Sequence, residues 1–479
     1  MRIMESWNLV IIGAGPAALR AAIAAADAGA TPLMISSSGI GSNSSTNDLS
    51  GLAASIDEVS SSSHRDDTIA AGGDSTDKVA ASRTCGEAVK VVAELERWGL
   101  VFRRRDGGLP HASQVHGHTM PRMTGCGDST GRNITRILEE QAMKRGVIRR
   151  SDLQPISLVM DKKQVRGVTI LDINTGEIRG IQAKAIILAT EGHQGIWTSP
   201  SNGAGLGASL AADAGITLSG LSNQPLHPLT IRGTDLHLSL DLLGSGGRVR
   251  KASGEDIDPS EVGDDDSILD LRAIDSGASV WFNQTRAQIK NRTGLDMSRE
   301  VVPISQTIAA TTGGSPVDEH GRVTLSQGSK WATGLYAAGR SAHNGMHGEG
   351  LLPGNLTLDD LVSGNAAGTH AGNWVQETAF GGSNLVEKEI IKSQNKIQNL
   401  HSSDGNSVGQ TAATLASIMS SCVNGSRDEN SLATAASSLA ELKSAGIKIT
   451  DSSSVMNTEL STALKLEGMI SVAEQISKS

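Results

Sequence analysis

The sequence predicts an α/β fold that is interrupted by an inserted region and followed by a helical C-terminal region. Residues 7–35 read as an apolar strand, a glycine-rich turn, an alanine-rich helix and a second strand. Such a βαβ unit sets its two strands parallel, because the crossover helix returns the chain to the same end of the sheet. Residues 167–190 alternate like a β-hairpin around a turn at 174–176. The segments 431–444 and 457–477 have the spacing of amphipathic helices.

The glycine turn carries a dinucleotide-binding fingerprint. Gly13, Gly15 and Ala18 occupy the three defined positions of G-x-G-x-x-G/A, directly after a strand and at the start of a helix. The first glycine permits the sharp turn, the second lets the backbone approach a pyrophosphate, and the alanine packs the helix on the sheet. An ordinary glycine turn of an α/β protein is the alternative. The second strand ends in Ser36 and Ser37, where an acidic residue normally binds the ribose hydroxyls.

Composition excludes several classes of protein. The 479 residues carry 42 basic and 51 acidic side chains, a net charge of −9, which argues against a basic nucleic-acid binder. Three widely separated cysteines offer no zinc-finger or iron–sulfur ligand spacing, and His111, His116 and His118 lie in a loop punctuated by Pro and Gly, so we expect no metal site. No apolar run approaches the roughly 18 residues of a membrane span. We expect a cytoplasmic protein.

A series of short motifs gives the chain a family resemblance. They are, in chain order, Ser45–Ala54, Glu94–Gly99, Asp128–Gly131, Leu188–Thr190, Leu226–Pro228, Gly334–Gly339 and Gly364–Gly368. In these motifs and their order the chain resembles the flavoprotein subunits of succinate dehydrogenase and fumarate reductase, together with L-aspartate oxidase. The resemblance runs from residue 8 to about 372 and returns weakly in the C-terminal helices.

The resemblance implies a Rossmann-like FAD-binding domain with an inserted α+β capping domain and a C-terminal helical region. We expect the FAD-binding domain at 1–228 and 303–375, the capping domain at 229–302, and a polar linker followed by the helical domain at 376–479. In the respiratory members a histidine joins the flavin covalently. The corresponding position falls at about Ser44, so we expect FAD to be bound non-covalently.

The fingerprint and the resemblance together assign the cofactor-binding residues. They are Gly13, Gly15, Ala18, Ser36, Ser45, Thr46, Gly51, Ala189, Thr190, Gly339, Arg340, Asn355 and Leu356. Arg340 departs from the family, which has a glutamate after the Ala-Gly pair.

The resemblance also implies the chemistry, a hydride transfer between a C4 dicarboxylate and flavin N5. It assigns the proton-handling arginine to Arg272 and an active-site histidine to His227. Ser239 replaces a substrate-binding threonine, and His347 belongs to the family's His-Gly loop. An arginine side chain stays protonated in water, so Arg272 needs a relay to move a proton. A charged residue on the surface of a helix is the alternative for Arg272.

Three substrate positions depart from the family. Leu240 stands where an acidic residue is expected, Gln306 replaces the second carboxylate-binding histidine, and Leu351 replaces the arginine that clamps a carboxylate. Losing such a clamp costs about 2–5 kcal/mol of binding. These departures leave two alternatives open. One is an FAD oxidoreductase of the same fold with another substrate, either L-aspartate oxidase-like or unknown, and the other is a non-catalytic flavin-binding subunit.

The resemblance implies partners as well. Because the chain has no cluster ligands, electrons would pass to a separate iron–sulfur subunit and then to a membrane anchor. We therefore expect a chain that is peripheral at the membrane through its partners, with a small-molecule substrate and no nucleic acid.

Overall fold

A computed structural model of the chain describes residues 4–39, 49–56, 58–105, 108–325, 330–423 and 428–479. The strands are β1 (Met4–Ile12), β2 (Pro32–Ile35), β3 (Leu52–Ala53), β4 (Met123–Thr124), β5 (Ile148–Arg150), β6 (Leu153–Asp161), β7 (Gln164–Asp172), β8 (Ile178–Leu188), β9 (Leu226–Ile231), β10 (Arg248–Lys251), β11 (Ser267–Asp270), β12 (Val302–Ile308), β13 (Ser315–Pro316), β14 (Arg322–Thr324), β15 (Trp331–Ala337), β16 (Ala342–His343), β17 (Asn406–Ser407) and β18 (Ile447–Lys448).

The helices follow the same chain order. They are α1 (Pro16–Asp27), α2 (Glu58–Gly72), α3 (Lys78–Gly86), α4 (Ala88–Arg97), α5 (Thr130–Lys144), α6 (Leu206–Asp213), α7 (Asp241–Gly244), α8 (Ser276–Ser279), α9 (Asn283–Thr293), α10 (Asn355–Trp374), α11 (Asn384–Ser402), α12 (Val408–Cys422), α13 (Glu429–Ala445) and α14 (Thr458–Ile476). None of the described helices is long and apolar enough to cross a membrane.

The central sheet confirms the α/β prediction. Strands β5, β2, β1, β8 and β15 lie side by side and run parallel. The predicted hairpin is β7 and β8, which pair antiparallel. The middle strands are buried on both faces, as the apolar run Leu9–Ile12 shows with 0–1% exposure. Their carboxyl ends therefore meet at one edge of the sheet, where ligands of open α/β folds bind.

Helix α1 lies close to α10 because both helices present small side chains. A Cβ added to Gly364 would lie 2.5 Å from the Ala17 carbonyl oxygen, and one added to Gly368 would lie 2.1 Å from that of Ala21. Only glycine allows this approach. The contact fixes the first turn of α1, and with it the fingerprint turn, against the rest of the domain.

A second sheet builds the inserted region. Its four strands follow the order β10, β11, β12 and β9, with antiparallel pairing throughout. A separate hydrophobic cluster supports it, with Leu229, Leu269, Phe282 and Ile304 at 0% exposure. The sheet includes residues 226–228 and 303–308, which lie outside the range 229–302 expected for the cap.

The C-terminal region is more helical than expected. Helices α13 and α14 match the predicted amphipathic segments, but α11 and α12 occupy residues expected to form a polar linker. The linker assignment was wrong because these helices bury only a narrow stripe. In α12 the stripe is Thr411, Leu415 and Met419, spaced four residues apart, and polar residues dominate the composition around it.

Candidate functional site

A cleft opens at the carboxyl edge of the central sheet. It encloses about 270 Å³ and is lined by the turns that follow β1, β2, β8 and β15. The lining residues include Gly13, Gly15, Ser36, Ala189, Thr190 and Arg340, all expected from the sequence to bind the cofactor. Ala18 is fully buried beneath the turn, and Gly339 adjoins Arg340. Ser44, Ser45 and Thr46 lie outside the described residues.

The fingerprint turn is shaped by a close backbone contact. Gly13 has φ +138°, and an added Cβ would lie 2.0 Å from the Ala189 carbonyl oxygen. Gly15 is the N-cap of α1 and offers no side-chain acceptor, so the N–H groups of this first turn, which lines the cleft, have no side-chain cap. Such a helix N-terminus favours an anion through its unpaired N–H groups and its dipole.

The cleft holds an unusual pair of buried charges. Arg340 is 8% exposed, and its Nη2 lies 3.8 Å from Asp360 Oδ2. Its Nε has no hydrogen-bond partner within the described chain. Burial raises the pKa of Asp360 to about 6, although Arg340 opposes the shift. A buried guanidinium N–H without an acceptor suits a cleft that receives a polar ligand, so the residues present fit a dinucleotide.

Three hydrogen bonds to Ser341 and Gly207 hold Thr190 in place. Its backbone N–H donates to Ser341 Oγ at 2.8 Å, and its hydroxyl accepts from the Gly207 N–H at 2.8 Å. Ser341 Oγ also donates to the Thr190 carbonyl at 3.1 Å. The edge of the cleft formed by Ala189 and Thr190 is therefore rigid.

The remaining cofactor residues lie around β3 and the start of α10. Gly51 precedes β3, and the Gly354 N–H donates to Ser50 Oγ at 2.7 Å. The Asn355 side chain pairs with His64 Nε2 at 2.7 Å and donates to Thr68 Oγ1 at 2.9 Å. Its amide is therefore committed to joining α2 and α10. Leu356 is buried in the first turn of α10.

The cap sheet brings His227 and Gln306 to neighbouring strands, and Ser239 lies in the segment that follows β9. His227 on β9 pairs in register with Thr307 on β12, beside Gln306. Ser239 follows Leu238, whose N–H donates to the Leu229 carbonyl of β9 at 2.8 Å.

His227 is buried and neutral. Burial lowers the pKa of His227 to about 3. Its Nε2 lies 2.8 Å from the Leu238 carbonyl, so Nε2 carries the proton and donates it there. In this state Nδ1 can only accept, so His227 cannot donate a hydrogen bond to a substrate carboxylate.

Arg272 and Gln306 are engaged by other groups. Arg272 donates to Asp270 from Nε at 2.9 Å and from Nη2 at 2.8 Å, and its side chain is 47% exposed. The hydrogen bonds from Arg272 lower the pKa of Asp270 to about 2. Gln306 Nε2 donates to the Ser260 carbonyl at 3.0 Å. Among the described residues, neither side chain is hydrogen-bonded to His227 or Ser239.

His347 lies beside α10, outside the cap sheet. Its Nε2 is 3.3 Å from Asp359 Oδ2, in a geometry that makes no hydrogen bond. The loop around it is packed backbone to backbone on the end of α2, because the Glu349 N–H donates to the Gly72 carbonyl at 3.0 Å. Leu351 follows in the same loop and is half-buried.

Three side chains of these sites, His237, Asp360 and Lys465, were not predicted from the sequence. His237 and Ser239 line a second cavity of about 330 Å³ between the cap and Asp128. The alternation Leu236-His237-Leu238-Ser239-Leu240 signals an extended segment with two polar residues on one face. Asp360 and Lys465 line the cofactor cleft from helices with no fingerprint of their own. Within the described ranges, no three His, Cys, Asp or Glu side chains come together to hold a metal ion.

Comparisons with known proteins indicate the same class of cofactor as this cleft. Residues 8–356 match the FAD binding domain family, and residues 412–479 match the family described as fumarate reductase flavoprotein C-term. The chain is 24% identical to a succinate dehydrogenase flavoprotein subunit of Rickettsia bellii, over 98% of this chain and 87% of that protein.

Solved structures share the fold. A variant of the E. coli quinol fumarate reductase FrdA superposes with a TM-score of 0.90 at 22% identity, over 99% of this chain and 89% of that one. A 3-ketosteroid-Δ4-(5α)-dehydrogenase of Rhodococcus jostii, in complex with 4-androstene-3,17-dione, gives 0.55 at 16% identity, over 77% and 97%. With the dinucleotide cleft, these matches establish that the chain belongs to the FAD binding domain family, as an FAD-dependent oxidoreductase of the succinate dehydrogenase and fumarate reductase flavoprotein type.

Proposed function

We propose that the chain catalyses hydride transfer between a C4 dicarboxylate and FAD, coupled to the transfer of one proton at the neighbouring carbon, for which Arg272 is the candidate residue. Bound FAD supplies N5 as the hydride donor or acceptor. The observation that carries the proposal is the full-length similarity to a succinate dehydrogenase flavoprotein subunit, which covers 98% of this chain and includes the cap. Gly13, Gly15, Thr190 and Arg340 would hold the cofactor in the cleft they line.

Ser239 and His227 of the cap differ in the hydrogen bonds that they can make to a substrate. The Ser239 hydroxyl is buried, lines the second cavity and can donate to a carboxylate. His227 is neutral, with its proton donated to the Leu238 carbonyl, so it cannot donate to a substrate carboxylate and Ser239 is the donor of this pair. Both side chains are buried, His227 at 7% and Ser239 at 4% exposure, which restricts their orientations.

Arg272 is the cation that the proposal needs. It is half exposed, and its partner Asp270 also pairs with Arg250 Nη1 at 2.9 Å. If Arg272 turns toward a substrate carboxylate, Asp270 keeps a charged partner, so no buried charge is left unpaired. A bidentate contact from Arg272 would then replace one of the clamps lost from the family pattern.

A specific observation favours a second candidate, an uncharged or singly charged substrate. Leu240 and Leu351 cannot bind a carboxylate, and the donors of Gln306 are used by backbone carbonyls. The 3-ketosteroid-Δ4-(5α)-dehydrogenase that shares the fold is in complex with 4-androstene-3,17-dione, a neutral molecule. An L-aspartate oxidase-like reaction would also need carboxylate clamps, because L-aspartate is a C4 dicarboxylate, whereas a non-catalytic flavin-binding role would need none.

We also propose that a separate iron–sulfur subunit exchanges electrons with the flavin and that a membrane anchor completes the assembly. The relative of Rickettsia bellii is itself named a subunit, which supports a multi-chain assembly. The chain would then lie on the cytoplasmic side of the membrane through its partners, and FAD would be bound without a covalent link.

A titration with malonate, a dicarboxylate that cannot be reduced, tests the substrate class. We expect the flavin absorbance of the holoprotein to respond to malonate, and Arg272→Met to weaken binding about 10-fold or more. Leu351→Arg restores a clamp and should tighten binding about 30-fold. Arg248→Met is the matched control, since Arg248 is a 50% exposed cap arginine paired with Asp256, and it should leave the affinity unchanged.

A wild-type protein and a Leu351→Arg variant that both ignore malonate would contradict the dicarboxylate proposal and leave the second candidate. A response to malonate that Arg272→Met and Arg248→Met weaken equally would contradict the role of Arg272 alone.

A further inference from the structure

The C-terminal helix α14 contributes a lysine to the cofactor cleft. Lys465 lines the cleft together with the fingerprint turn 13–17 and the serines 36–38 that follow β2. Its position is fixed because the neighbouring Leu464 and Leu466 are 7% and 0% exposed. Gly468 packs on α6, where an added Cβ would lie 2.6 Å from Ser209 Oγ. The lysine therefore reaches the cleft from a helix that is anchored on the FAD-binding domain.

The ammonium of Lys465 differs from the other lysines around α14. Lys396 pairs with Glu467 at 3.0 Å and Lys443 with Glu474 at 2.6 Å, whereas Lys465 forms no ion pair or hydrogen bond within the described chain. Its side chain is half-buried. Partial burial of an ammonium without a counter-charge costs free energy, unless a ligand supplies the anion.

The charges around the cleft indicate which anion Lys465 would bind. The other lining cation, Arg340, already faces Asp360. Glu191 also lines the cleft but makes no ion pair with Lys465, and Ser36–Ser38 offer hydroxyls without charge. The open N-terminus of α1 lines the same cleft and favours a pyrophosphate. Among the described residues, Lys465 is thus a cation of the cleft without an acidic partner, and the cleft has the features of a dinucleotide site.

We propose that Lys465 is a cofactor-binding residue whose ammonium binds the pyrophosphate of FAD. The C-terminal region then contributes to the dinucleotide site, although the fingerprint lies near the N-terminus of the sequence. Because the ligand contacts α14 directly, FAD binding also stabilises the docking of this helix on the FAD-binding domain.

The test measures FAD binding to the apoprotein by quenching of flavin fluorescence at fixed ionic strength. Wild type is measured first and must bind FAD. We expect Lys465→Met to weaken FAD binding about 10-fold and Lys465→Arg to weaken it about threefold or less. The control is Lys478→Met, an exposed lysine beyond the end of α14, which should have no effect.

Two further measurements separate the contact from a folding defect. ADP, used as a competitor, carries the pyrophosphate, so its affinity should fall by the same factor in Lys465→Met, while the melting temperature of the apoprotein stays at the wild-type value. Ser37→Lys in the Lys465→Met background places an ammonium at the same cleft and should recover most of the loss. Rising salt should narrow the difference between wild type and Lys465→Met.

Wild-type affinity of Lys465→Met for FAD would overturn the proposal. Loss of FAD affinity with unchanged ADP affinity would also overturn it, because the contact would then lie away from the pyrophosphate. A drop in the melting temperature of the apoprotein that accounts for the loss, without recovery by Ser37→Lys, would assign Lys465 a structural role instead.

Discussion

Replacing Gly13 with alanine is expected to abolish FAD binding and to lower the free energy of unfolding by about 3 kcal/mol or more. The new methyl group would lie 2.0 Å from the carbonyl oxygen of Ala189. That atom belongs to the backbone after β8, where Thr190 is held by Ser341 and Gly207, so it cannot move aside. The positive φ of +138° adds strain for any residue with a Cβ. Flavin absorbance and urea denaturation measure the two effects.

The matched control for this change is Gly215→Ala. Gly215 has φ +84°, but a Cβ there meets nothing within 4 Å. It isolates the cost of the left-handed backbone, about 1 kcal/mol, and FAD binding should survive. A Gly13→Ala protein that retains stoichiometric flavin would show that the fingerprint turn is not part of the cofactor site.

Replacing Arg122 with methionine should cost about 3–5 kcal/mol of stability. Arg122 is 1% exposed and pairs with Asp67, and it also donates to Ser63 Oγ at 2.6 Å and to His118 Nδ1 at 2.8 Å. Burial disfavours the Asp67 carboxylate, but the hydrogen bonds from Arg122 and Thr119 outweigh it, so the pKa of Asp67 is lowered. Without Arg122 the buried carboxylate keeps, among the described residues, only Thr119 as a hydrogen-bond partner.

The surface pair Lys144–Glu140 gives the comparison for Arg122. Both side chains are at least half exposed, and Lys144→Met should change stability by less than about 1 kcal/mol. His118 Nε2 also contacts the Pro353 carbonyl at 3.0 Å, so the Arg122 network supports the loop before α10. Urea denaturation would contradict this account if Arg122→Met proved as mild as Lys144→Met.

The fold and the cofactor were readable from the sequence because their signals are local. The fingerprint at 13–18, the hairpin at 167–190 and the C-terminal amphipathic helices each depend on residues close together in the chain. The polar helices α11 and α12 were missed because a stripe of three or four buried residues is lost in a polar composition.

The substrate side was harder to predict because its chemistry depends on partners from other elements. No sequence pattern indicates that His227 donates to the Leu238 carbonyl or that Gln306 binds the turn at Ser260. Nor does any local motif join Lys465 to the fingerprint turn, since only the packing of α14 on α6 brings them together. The sequence shows which residues of the family pattern are lost. Which other side chains lie at the site can be read only from the structure.

The most direct test of the proposed function is anaerobic. The purified holoprotein is reduced with dithionite, the excess is removed, and fumarate is added while the flavin absorbance is followed. We predict reoxidation with one fumarate consumed per flavin, at a rate that saturates with fumarate concentration. A flavin that stays reduced at millimolar fumarate, yet is reoxidised by an artificial electron acceptor, would contradict hydride transfer to a C4 dicarboxylate.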